Sequence, residues 1–270
     1  MVDLFKMELF KLRKSKVFWG CCIAIFVICF ALPLLGKAFA SILMSIVQNG
    51  NDPEMLANAQ KVVDEYNKPF LFSYLLKAPF GGLSISFILV FISAAVFMHM
   101  DIGNGYIKNI AGQIPSRGHS CYGKFAAVCV QALVYMLFGF VGGLAGQLIA
   151  RGVEFDSEIG SGIGEFLLKW LLVCGLDAIL LFFTTGLGNK VLGIVMAAIL
   201  GTGTLNLIYL PLNYGLGMLF HSDINITEYA PDQMLNAVNI NIPAALIGGA
   251  ALIVVFMFLT VKLLNKKDVK

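Results

Sequence analysis

The segment Gly118-His-Ser-Cys-Tyr-Gly123-Lys124-Phe125 has the G-x4-G-K spacing of a phosphate-binding loop. Such a loop needs Ser or Thr after its lysine, because that hydroxyl holds Mg²⁺; Phe125 has none. The segment also leads into an apolar run instead of following a buried strand, so no ATP site is expected here. Proteolysis within a membrane would require a Ser/His pair, two facing aspartates or H-E-x-x-H. His99, His119 and His221 fall in loops or at the ends of apolar runs, and Asp177 is the one acid deep inside such a run. Six cysteines are present without any C-x-x-C, and five of them lie in apolar runs (Cys21, Cys22, Cys29, Cys129 and Cys174), with Cys121 in a basic loop. Neither a disulfide framework nor a metal site is supported. Asp177 keeps two readings, a hydrogen-bonded packing aspartate at a helix contact or a polar point along a substrate path, since a mid-bilayer acid faces protein or water. Glu165 and Lys169, one turn apart near the outer end of the same run, can pair or snorkel.

The elements that carry these residues are set by composition. Of 270 residues, 59% are apolar and 13% charged, where soluble domains carry about 25% charged. Apolar runs of about 20 residues recur, each long enough to cross a hydrocarbon core of about 30 Å. The expected fold is an all-α integral membrane protein with six transmembrane helices, at about 17–36, 79–98, 125–149, 165–185, 191–210 and 243–264. Residues 1–16 precede this domain as an interfacial helix, and residues 265–270 form a tail. A cleaved signal peptide is the rival for the first run, given Ala38-Phe-Ala40, but its apolar stretch exceeds the about 7–15 residues typical of one.

Residues 2–14 place Val2, Phe5, Leu9 and Leu12 on one helical face, with Asp3, Lys6, Arg13 and Lys14 around the other. A basic amphipathic helix of this kind lies on an anionic lipid surface. Asp52-Pro53 reads as the start of a short amphipathic helix with Met55, Ala59, Val62 and Tyr66 on one side. Small-xxx-small pairs recur at Gly139/Gly143, Gly142/Gly146, Ala197/Gly201 and Ala245/Gly249, and permit close helix approach, chiefly within the chain. Residues 211–220 are apolar but too short to cross, and Asn225-Ile-Thr227 matches a glycosylation sequon.

Lysine and arginine counts orient the chain. With the N-terminus inside, the interior segments hold thirteen and the exterior ones five, while ten acids fall outside against four inside. Both termini are thus expected in the cytoplasm. The longest interior polar stretch between runs is 99–124, where Gly103 and Gly105 interrupt the preceding helix. Ile107–Ile114 can form a short helix ended by Pro115. Lys108, Arg117 and Lys124 make it basic, with Asp101 its only acid. It has no chemistry of its own, but it has the geometry to receive a push from a soluble partner.

With these features in view, the chain resembles permease subunits of the type-2 ABC exporters, and in particular the small bacterial permeases of lantibiotic or bacitracin self-immunity. The resemblance rests on the leader Lys6–Lys16, on Asp101-x3-Gly105-Tyr106-Ile107-Lys108-Asn109, on Pro115-Ser116-Arg117 with Lys124, and on the order of six runs. Tyr106 stands where Thr is usual. The resemblance implies that residues 2–14, with Phe5, Leu9, Leu12, Arg13 and Lys14, form a connecting helix at the membrane surface. It implies further that 101–117 carries a coupling helix docking on a separate ATPase subunit, which would hold the ATP and Mg²⁺, this chain binding no cofactor. Residues 211–220 would belong to a re-entrant exterior hairpin. A second copy or a sister permease would complete the pathway in a bacterial cytoplasmic membrane, for an amphipathic peptide or hydrophobic compound. No nucleic acid partner is implied. The alternatives are sodium or small-drug efflux, or a membrane sensor or assembly protein without transport.

Overall fold

The computed structural model describes residues 2–48, 53–81, 84–103, 117–220 and 225–266. Helix α1 (Val2–Lys14) stops at Ser15, whose hydroxyl accepts from the Phe18 amide at 3.3 Å and so caps α2 (Lys16–Gln48). At 33 residues α2 is about 50 Å long and continues three turns past the expected end at Gly36. Gly36 and Lys37 do not end it, because both are taken up by contacts with other elements. The Tyr66 ring lies on Gly36, where a Cβ would come within 2.6 Å of its hydroxyl, and Lys37 donates to the Ala150 carbonyl.

Helix α3 (Pro53–Asn67) begins at the expected proline and folds back on α2, with Ala59 buried and Met55 exposed. A two-residue strand β1 (Phe70–Leu71) leads into α4 (Phe72–Lys77). Helices α5 (Ser84–Gly103) and α6 (Arg117–Ala150) follow. Strand β2 (Val153–Glu154) pairs in parallel with β1, Phe70 opposite Val153. Helix α7 (Ile159–Leu181) runs into one π-helical turn, Phe182–Gly186. Then come α8 (Lys190–Thr202), α9 (Asn206–Phe220), a 3-10 turn at Ile226–Glu228, α10 (Pro231–Met234) and α11 (Ile242–Lys266).

The result is an all-α membrane protein. Among the described residues four helices, α2, α6, α7 with its π turn, and α11, are each long and apolar enough to cross a bilayer, and α8 with α9 makes a fifth if that bent pair counts as one crossing. The apolar part of α5, Ile85–Asp101, is shorter. The fifth run departs most from the sequence expectation of a straight helix over 191–210. α8 ends at Thr202, and α9 leaves it at 65°. Gly203 takes φ 67°. The Thr204 amide bonds to the Ile199 carbonyl and that of Gly203 to Leu200, which is the closing geometry a left-handed glycine gives a helix. Residues 206–220 are then one helix with Pro211 inside it, not a crossing followed by a separate short segment.

Glycines set the packing. A Cβ at Gly142 would sit 2.6 Å from the Phe26 carbonyl oxygen, and Gly146 meets the Phe30 carbonyl in the same way, so α6 lies directly on the backbone of α2. Gly201 approaches Ile88 across α8 and α5, and Gly175 approaches Gly249 across α7 and α11. The small-residue pairs containing these glycines therefore serve packing within the chain. Between them lies a buried polar knot. Gln131 donates to the Ser93 hydroxyl at 2.8 Å and to the Tyr135 hydroxyl at 3.1 Å, with Ser93 and Tyr135 2.7 Å apart. It joins α5 to α6, and the Phe18 ring of α2 stacks on Tyr135 at 5.5 Å.

Lys169 does not snorkel. Its side chain is buried and donates to the carbonyls of Lys77 at 2.5 Å and Ala237 at 2.6 Å. It thereby places its charge at the C-terminal end of α4, where a cation is favoured, and ties α4 and the chain after α10 to α7. Replacing Gly142 by Val should cost about 1–3 kcal/mol of stability, read as a lowered unfolding midpoint in detergent. Gly20→Ala, where nothing lies within 4 Å, should leave that midpoint in place.

Candidate functional site

The functional geometry gathers where α1 crosses the end of α5 and the start of α6. Glu8 lies on α1 between Phe5, Leu9 and Leu12 at helical spacing, so the face that buries the leucines buries the carboxylate too, to 4% exposure. Lys11 bonds to Glu8 at 2.8 Å and to Asp101 of α5 at 3.0 Å. Lys124 of α6 meets the other Asp101 oxygen at 2.5 Å and lies 4.0 Å from Glu8. Among the described residues, two ammonium and two carboxylate groups thus stand together with their charges balanced. A charge removed from water must be matched this way or its burial is prohibitive. Close approach makes the set possible, because α1 passes Gly123 so tightly that a Cβ there would stand 3.3 Å from the Leu4 backbone.

The set is wired further into the bundle. Lys124 also donates to the Met98 carbonyl at 3.3 Å, and the Thr185 hydroxyl donates to that same oxygen at 3.3 Å. Thr185 belongs to the π-helical turn of α7, a geometry concentrated at functional positions. On the opposite flank, the Gly118 amide at the start of α6 donates to Asn265 near the end of α11 at 3.2 Å. The described ends of the chain therefore share one end of the bundle. Burial pulls the Lys11 ammonium down, but the bonds and charges of Glu8 and Asp101 outweigh it and hold it above its ordinary 10.5.

The residues expected from the sequence distribute as follows. Asp101 is at the centre of the set, buried in the last turn of α5. Gly105, Tyr106, Ile107, Lys108, Asn109, Pro115 and Ser116 lie outside the described residues, and of Arg117 only the backbone at the start of α6 is described. Leu12 is buried, Phe5 and Leu9 are half-buried, and Arg13 and Lys14 are exposed. The Arg13 carbonyl accepts from Trp19 at 2.8 Å, and Lys14 stands over the exposed Phe10 ring at 4.5 Å. Gly118–Lys124 forms the first turns of α6, its lysine turned into the ion set. Asp177 is fully buried on α7, and neither oxygen has a hydrogen-bond partner among the described residues. Among the described residues no group of His, Cys, Asp and Glu could hold a metal ion.

Glu8, Lys11 and Lys169 escaped the sequence reading as site residues. The signal for Glu8 was present, since a charge at position 8 of a 5-8-9-12 apolar stripe is buried with it. Lys124 read as one of three loop cations because nothing local marks it as the partner of Asp101.

A family description of ABC-2 family transporter proteins matches residues 4–206, three quarters of the chain. No curated protein matches it. The chain belongs to the ABC-2 transporter family, whose members are the multi-pass membrane permeases of ABC transporters.

Lys124→Met should destabilise the protein by about 3–5 kcal/mol, as loss of one partner from a buried pair does. The double variant K124M/D101L should recover part of that loss in detergent unfolding, because it leaves no orphaned carboxylate at 101. Because the Lys11 pKa is raised on folding, its contribution is fully present below 10.5 and fades as pH rises past its folded value. The stability gap between wild type and Lys11→Met should accordingly hold constant to about pH 10 and close above it.

Proposed function

We propose that this permease works as one half of an ATP-driven exporter whose ATPase is a separate subunit. The ATPase grips the segment 104–116 from the cytoplasm, and the four-charge set carries its movement into the bundle. The observation that supports this is the position of the set. Asp101 and Lys124 stand at the two helix ends that bracket 104–116, and Glu8 and Lys11 lock the interfacial helix onto both. A push between α5 and α6 then displaces α1, α5 and α6 as one piece, because separating them would bare buried charge at a cost of several kcal/mol. Met98 extends the link to the π turn of α7.

Membership in the family supports an ATPase partner. We infer both chain ends to be cytoplasmic from the lysine and arginine distribution. A second copy or a sister chain completes the conduit. The cargo that suits the apolar bundle is an amphipathic antimicrobial peptide or a similar hydrophobic compound, expelled from the membrane as self-protection. Sodium or small-drug efflux is the second reading for cargo, and the fully buried Asp177 is the residue that would favour it.

In the assembled transporter, disruption of Gly105–Lys108 should abolish cargo-stimulated ATP hydrolysis and transport while the permease still inserts; retained transport would remove the coupling role. In a cysteine-free background, a membrane-impermeant thiol reagent applied from outside should label Glu154→Cys and spare Lys108→Cys. The reverse pattern would overturn the orientation.

A further inference from the structure

At the end of the bundle away from the chain termini, Arg151 holds a position the export mechanism does not use. It follows the last turn of α6, and the Phe70 and Tyr66 rings lie against its guanidinium, with centroids at 4.4 and 5.1 Å. Three separate elements place those groups. The β1–β2 pairing, with the Phe70 amide bonded to Gly152, fixes Phe70. The missing side chain of Gly36 seats Tyr66, and Gln147 accepts from Arg151 Nε at 2.9 Å.

Stacking on rings consumes none of the five N–H donors of a guanidinium. One donor goes to Gln147 and another makes a long 3.5 Å contact with the Glu65 carbonyl. No carboxylate among the described residues forms an ion pair with Arg151. A cation that lies against two rings and keeps N–H donors beyond those two contacts is arranged to receive an anion in forked geometry.

Two adjoining cavities share Arg151, Tyr66, Phe70 and Tyr74 as walls. The outer one, about 470 Å³, has Lys68 and Glu65 at its rim. The inner one, about 230 Å³, runs down between α2 and α6 past Leu32, Pro33, Leu75 and Gly143. From Arg151 to Gly143 is about two turns of α6, or about 12 Å of depth. Along that path the lining passes from Lys68, Glu65 and Arg151, past Gln147 and Tyr74, to Leu32, Pro33, Leu75 and Gly143. Such a gradient fits a molecule with an anionic head and a hydrocarbon tail.

We infer that Arg151 and the slot beneath it bind an anionic amphiphile, a phosphate-bearing head on the guanidinium edge and an acyl tail against Leu32, Pro33 and Gly143. The site stands apart from the exporter reading, because it needs neither the ATPase nor any particular cargo.

The experiment uses the full purified chain in detergent without an ATPase, titrated with pyrene-labelled phosphatidylglycerol, with pyrene-labelled phosphatidylcholine and, as competitor, with inorganic phosphate. Wild type should bind phosphatidylglycerol saturably and at least tenfold more tightly than phosphatidylcholine. Arg151→Gln should lose at least tenfold. Gly143→Leu should lose as much by filling the slot, and its Cβ meets only Leu75, at an ordinary 3.4 Å. Lipid-free unfolding midpoints verify that each variant is folded. Arg151→Lys, which keeps the charge but not the fork, should lose affinity several-fold and replaces the glutamine variant should that one not fold. Unchanged affinity in folded Arg151 variants would overturn the site. Competition by inorganic phosphate as strong as that of unlabelled phosphatidylglycerol, with Gly143→Leu unaffected, would overturn the amphiphile and leave a headgroup-only anion site. A negative result here bears on this slot alone, whereas failure of the coupling tests bears on the exporter reading alone.

Discussion

Four charges that must stay together hold this permease in register. Glu8, Lys11, Asp101 and Lys124 lie where water is scarce, so each depends on the others being within about 4 Å. That requirement acts on three helices at once. It fixes the roll of α1, since turning it would carry Glu8 away from Lys124. It also fixes the distance between the end of α5 and the start of α6. An apolar seam of the same size would tolerate slippage, because dispersion contacts are many and weak. A set of paired charges is costly to separate, so it resists that slippage.

The rest of the bundle is held close by other contacts. α6 lies on α2 through glycines that bring backbone against backbone, and the Gln131–Ser93–Tyr135 knot joins α5 to α6 deep in the bundle. At the far end Lys169 performs a related task, gathering the carbonyls of Lys77 and Ala237 around one buried ammonium. The Ser73 amide and hydroxyl both bind Asp156, and Lys77 pairs with Glu158, which keeps α4 against the chain between β2 and α7. Ionic clamps thus stand at both ends of the bundle, with neutral hydrogen bonds between them. The arrangement follows from the solvent, because ionic contacts within a bilayer are costly and those at its borders can be matched.

Regions that depart from this plan are those where a helix is interrupted. The π turn at 182–186 touches the same Met98 carbonyl as Lys124, so a disturbance of the ion set reaches α7 through one shared acceptor. The bend at Gly203 splits the fifth run and redirects α9, and Gln233 donates to the Gly203 carbonyl at 3.0 Å to hold the corner.

Much of this was legible in the residues. Apolar runs of bilayer length, a basic amphipathic leader, Pro53 as a helix start and glycine pairs for close packing all follow from period and composition, which act locally. What the sequence could not decide were relations between residues far apart in the chain. Nothing near Lys124 announces Asp101, and nothing near Lys169 announces Ala237. The helical continuation past Gly36 depended on Tyr66 arriving from α3, and the exposed edge of Arg151 on Phe70 and Tyr66 covering its face. Burial and partnership of a charge are properties of the assembled bundle, since they depend on which distant backbone excludes the water. Tertiary structure therefore chose the clamps, while sequence chose the rods they hold.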